Sequence, residues 1–101
     1  MRKITQDAAH AFNAGRTLCR DNTTVAVDPD GEVMLCLHGN LIAKRTADGR
    51  LFVRTAGWDT TTTKERLNGL GDVQVYHERR VLHLNGKPWD NHADWTEVAA
   101  A

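Results

Sequence analysis

At 101 residues, with 41% hydrophobic and 26% charged content, the chain has the size of one domain around one core, and no apolar run approaches the roughly 20 residues of a membrane span. Thirteen basic and thirteen acidic residues cancel to a formal net charge of +0. That balance argues against a protein whose main affinity comes from neutralising phosphates and leaves open only a local basic patch.

The N-terminus, MRKITQDAAHAFNAG, has a basic start but no apolar stretch of signal-peptide length and no A-x-A-like cleavage site, so no secretory signal is expected and the protein is expected to stay in the cytoplasm where it is made. The spacing of Ile4, Ala8, Ala11 and Phe12, with Gly15 placed as a stop, predicts a first helix over 5–14. Residues 1–4 and 99–101 are expected to fray. Cys19 and Cys36 are expected to be reduced thiols in that compartment, with Cys36 a small buried hydrophobe.

After RDNTT the pattern changes to strands: TVAVD, the turn PDG, EVMLCLH, the turn GN, LIAKRT, the turn ADG, and LFVRTAG. Asp-Gly and Gly-Asn between β-branched runs supply the positive φ that tight hairpins need, which predicts an antiparallel meander of about four strands. In EVMLCLH both alternating sets are apolar, so a central strand covered on both faces is expected, with helices on one side.

Four threonines, Thr60 to Thr63, precede a short basic and apolar segment. Thr62 and Glu65 fit a reciprocal capping box, with Leu67 and Leu70 facing the core and Asn68, Gly69 and Gly71 ending a two-turn helix. The alternative is a phosphate cradle, in which the hydroxyls of Thr61 and Thr63 and the cations of Lys64 and Arg66, read as lying in the first turn, meet an anion. Beyond it, VQVYHE and VLHLNG around an Arg79–Arg80 turn predict a second hairpin that brings His77 and His83 near each other. Trp89 and Trp95 are expected to clamp the tail onto the body. These elements compose an α+β fold in a single domain over 1–101: an N-terminal helix, the β-meander, a short helix and a C-terminal β-hairpin.

The chemistry-bearing residues form no catalytic motif. The cysteines and histidines lack zinc-ligand spacing, no serine occurs, and neither cysteine sits in a nucleophile motif, so no metal, cofactor or acyl transfer is expected. Arg79, Arg80 and Lys87 interleave with Tyr76, His83 and Trp89, a mixture that single-stranded nucleic acid binding uses and that a hairpin with charged turns equally explains.

The segments NTTVAV, LHGNLIA, AGWDTTTTKERLNGL and LNGKPWD, in this order, resemble a group of short accessory proteins carried by tailed bacteriophages and prophages. The resemblance covers the chain from about Thr5 to Val98 and carries no catalytic residues over. It implies a non-enzymatic protein that acts in the infected cell by binding a host or phage macromolecule, with a bacterial defence system such as a CRISPR effector among the targets it suggests (an anti-CRISPR-like role). The expected contact residues are Trp58, Thr61, Thr63, Lys64, Arg66, Arg79 and Arg80. A small nucleic-acid-binding domain using the same threonines and cations is the alternative.

Overall fold

In the computed structural model, which describes residues 2–98, the chain opens on helix α1 (Lys3–Ala14). It begins two residues ahead of the predicted start because Ile4 and Thr5 are both buried against the body. Gly15 ends it as expected: at φ 68° it turns left-handed, its N–H donating to Phe12 O while Arg16 N–H donates to Ala11 O. Ala99 to Ala101, expected to fray, lie outside the described residues.

The predicted meander forms β2 (Thr23–Val27), β3 (Val33–Leu37), β4 (Asn40–Arg45) and β5 (Leu51–Val53). Two short strands extend it at either edge, β1 (Leu18–Arg20) on β2 and β9 (Thr96–Val98) on β5, giving a six-stranded antiparallel sheet in the order β1-β2-β3-β4-β5-β9. The β3–β4 turn falls on His38 and Gly39, both at positive φ, so Asn40 begins the strand and does not sit in the turn. A bulge opposite Leu35 and Cys36 turns both Ile42 and Ala43 inward. Among the described residues no helix is long and apolar enough to cross a membrane.

One face of this sheet carries the core. Val25, Leu35 and Val53 pack there against Ala8 and Phe12 of α1 and against Leu67 of helix α2 (Thr61–Asn68). The expectation that β3 is covered on both faces is corrected: Val33, Leu35 and Leu37 are buried, but Met34 and Cys36 are only half-buried, because both helices pack on the same side. Burial still pushes the Cys36 thiol pKa up. Cys19 pairs with Thr24 and Thr24 with Cys36, so two strand spacings, about 9–10 Å, separate the free thiols, too far for a bridge.

The second hairpin forms β6 (Val75–Glu78) and β7 (Val81–Leu84), with β8 (Lys87–Pro88) added beside β7. Its register places Tyr76 opposite His83, rings stacked at 5.1 Å, and His77 opposite Leu82. The two histidines therefore project from opposite faces, which removes the predicted juxtaposition. Trp89 is buried, its Nε1–H donating to Thr96 Oγ1 at 2.8 Å, and so ties this sheet to β9. Trp95 stays half-buried on the far side of the large sheet.

Helices α1 and α2 cross closely at Gly69, where a Cβ would lie 2.5 Å from Thr5 Cγ2. Thr5 cannot turn aside, since its hydroxyl is bonded to Glu65 and Arg66. Gly69→Ala is thus expected to destabilise the fold by about 1 kcal/mol in chemical denaturation, although alanine is the better helix former.

Candidate functional site

The threonine run divides its work four ways. Helix α2 starts at Thr61, and Thr60 is its cap: Thr63 N–H donates to Thr60 Oγ1 at 3.2 Å. This corrects the Thr62–Glu65 capping box. With the helix in this register Thr63 occupies the third helical position and Glu65 the fifth, where it accepts from the Thr5 hydroxyl at 2.8 Å. Thr61 is exposed, Thr62 is half-buried and Thr63 is buried.

Arg66 overturns its expected role more completely. It falls in the last turn of α2 and its side chain is 0% exposed. Nε donates to Thr23 Oγ1 at 3.0 Å, and Nη1 donates to Thr5 Oγ1 at 2.7 Å and Glu65 Oε1 at 2.6 Å. The Thr5 hydroxyl first, and this guanidinium second, hold the Glu65 carboxyl below its ordinary pKa. Buried in this way, Arg66 and Thr63 do not reach a partner at the surface.

Of the remaining predicted residues, Trp58, Thr61 and Lys64 line two clefts beside α2, and Arg79 and Arg80 line neither. The first, of about 520 Å³, has Leu37 and Ile42 as its floor and Thr55, Thr60 and Thr62 on its walls, with Trp58 at the mouth. Trp58 is 61% exposed, the most exposed large hydrophobic side chain among the described residues. It follows Ala56 and Gly57, both at positive φ, and its N–H donates to Thr55 O. Thr55 is itself fixed by His92, through Nδ1 at 2.6 Å and the backbone carbonyl at 3.0 Å.

The second cleft, also about 520 Å³, is lined by Thr61, Lys64, Asn68, Tyr76 and His77. Here Lys64 Nζ lies 2.8 Å from His77 Nδ1, and His77 Nε2 lies 3.1 Å from Asp59 Oδ2. An ammonium only donates, so Nδ1 carries the lone pair and Nε2 the hydrogen that goes to Asp59. That bond is the main cause of the lowered Asp59 carboxyl pKa. The Asn68 amide seals the other end of the cleft, accepting from Val75 N–H at 2.6 Å and donating to Val75 O at 3.0 Å.

The Asp59–His77–Lys64 chain brings the Trp58 segment, the start of α2 and β6 together. Arg79 lies two residues past His77, about 7 Å along the strand. Arg79 and Arg80 form the hairpin turn, both at positive φ, 51° and 67°. Through these bonds the Trp58 segment and the helix that starts at Thr61 are both tied to the strand that runs into the Arg79–Arg80 turn. The joining of His77 to Asp59 and to Lys64 carried no sequence signal, because these partners lie 18 and 13 residues away with no motif spacing.

A family model described as Kyanoviridae Gp96 protein matches residues 1–98. No curated protein and no solved structure matches the chain.

Proposed function

We propose that this chain, which belongs to the Kyanoviridae Gp96 protein family and so is phage-associated, works by binding a protein partner through the surface formed by Trp58, Thr61, Lys64 and the Arg79–Arg80 turn. The observation that carries the reading is Trp58, a large aromatic side chain left mostly in solvent at the mouth of a cleft with an apolar floor. Exposed tryptophans beside well-formed pockets are the residues that dominate protein interfaces, and arginines rank with them. Binding is favoured over catalysis because the lone pair of His77 is taken by the Lys64 ammonium, which makes the imidazole a tether between two segments and not a free base.

The finer form of this reading takes a bacterial defence complex, such as a CRISPR effector, as the partner, and rests on the phage association. Immobilised protein and a Trp58→Ala variant are offered the same infected-host lysate, with purified effector in a parallel arm. The expected result is a partner retained by the wild-type protein and lost by the variant, whose thermal unfolding is unchanged because the side chain is exposed. A partner held equally by both proteins, or none across a range of salt, overturns the reading.

A further inference from the structure

The face of the six-stranded sheet turned away from the helices carries an arrangement with no part in the surface above. Five side chains alternate cation and ring across β4, β5 and the approach to β9. The Arg50 guanidinium is 5.1 Å from the Phe52 centroid, Lys44 Nζ is 5.5 Å from Phe52 and 4.7 Å from Trp95, and the Arg54 guanidinium is 4.4 Å from Trp95. Met34 and Leu41 lie beside them, half-buried, and no helix packs on this side.

The charge on this face is unbalanced. Arg50 is matched by Glu97, bonded through Nε at 3.0 Å and Nη2 at 2.9 Å. Among the described residues Lys44 and Arg54 have no carboxylate within ion-pair distance; Arg54 Nε donates only to Leu41 O at 2.8 Å. Two uncompensated cations held over aromatic rings, above an apolar floor, present both halves of what an unpaired polynucleotide offers. Phosphates meet the cations, bases stack on the guanidinium planes, and the ring edges left clear of the cations give the bases apolar contact. An acidic peptide meets the cations but leaves the apolar floor against water, and a duplex keeps its bases inside.

We infer that the open face of the sheet binds single-stranded nucleic acid, with Lys44 and Arg54 on the phosphates and Phe52 and Trp95 beside the bases. The overall neutrality of the chain does not oppose this, since Lys44 and Arg54 stand in the ladder without a carboxylate partner among the described residues. The site is separate from the Trp58 surface and holds or fails independently of it.

The test is a fluorescence-anisotropy titration with labelled oligothymidylate and oligouridylate of about twelve nucleotides, within the span that single-strand-binding folds cover. Binding is expected at low salt, with the logarithm of affinity falling by about 1.4 per decade of salt for two phosphate contacts. Lys44→Gln is expected to weaken it about fivefold and to reduce that slope by about 0.7, while Arg79→Asn with Arg80→Gly leaves it unchanged. Arg54→Gln should act like Lys44→Gln; if it unfolds through loss of its Leu41 bond, Lys44→Gln alone decides, its ammonium making no hydrogen bond among the described residues. The inference is overturned by no binding to either oligomer, by binding that Lys44→Gln leaves intact, or by equal affinity for polyglutamate or duplex of the same length.

Discussion

Replacing Glu65 with alanine is expected to destabilise the fold by about 3 kcal/mol, measured as a shift in the urea midpoint at unchanged slope. The cause is Arg66, a guanidinium with no exposed surface whose one carboxylate partner is Glu65. Removing that partner leaves a buried cation with two threonine hydroxyls for company, and an uncompensated buried charge is among the costliest defects a fold can carry. Because Glu65 keeps some contact with solvent, the low end of the usual range applies. Arg66→Met is expected to stay within about 1 kcal/mol of the wild type. Arg66 Nη2 is buried without a partner, so the methionine removes an unsatisfied group along with the charge. The hydroxyls it abandons keep other bonds, Thr5 to Glu65 and Thr23 to Asn22. Acid should act in the same direction as Glu65→Ala. The folded-state pKa of Glu65 lies below its ordinary value of 4.5, so the stability it contributes is complete above that value and is lost as the pH falls through the folded pKa. The alanine variant should lack that part of the acid transition.

Exchanging Arg79–Arg80 for Asn–Gly is expected to raise stability by about 1–2 kcal/mol and, in the same molecule, to weaken the protein partner at least tenfold. A two-residue hairpin with both central residues left-handed favours Asn-Gly, and here two arginines hold that conformation. Non-glycine residues in this region cost of order 1 kcal/mol each, persist where their surroundings hold them, and cluster at functional sites. Two guanidiniums at the exposed tip of a hairpin, next to the Lys64–His77 cleft, fit that description. Denaturation midpoints and partner affinity measured on one preparation separate the effects. A turn exchange that stabilises the hairpin and leaves the partner bound as before would remove the arginines from the binding surface.

What the sequence disclosed and what it hid divide by range. Gly15 as a stop, the turns around Gly31, Gly39 and Gly49, and the alternation in β2 to β5 are local signals that mark element boundaries to within a residue or two, except that β5 ends at Val53 and not near Gly57. Strands β1 and β9 are three residues each and exist because β2 and β5 offer them edges, which no short window can show. The helix cap illustrates the same limit. Four consecutive threonines allow several registers of nearly equal local energy, and Thr60 is selected because that register buries Thr63, Arg66 and Leu67 together. The basic pattern around α2 was visible, but that Arg66 points inward depends on Thr5 and Thr23, some 61 and 43 residues away. The cation–ring ladder was equally hidden, since Lys44 and Trp95 meet only after β9 docks beside β5.

The position of β9 also bears on how the molecule is made. Leu51 to Val53 finds its second neighbour in Thr96 to Val98, so the edge at β5 stays open during synthesis until that later segment has emerged from the ribosome. Until then that edge displays unpaired backbone groups beside Phe52, a template on which another unfinished copy can add itself. A chaperone that covers this edge until residues 96–98 arrive would guard against clumping during synthesis.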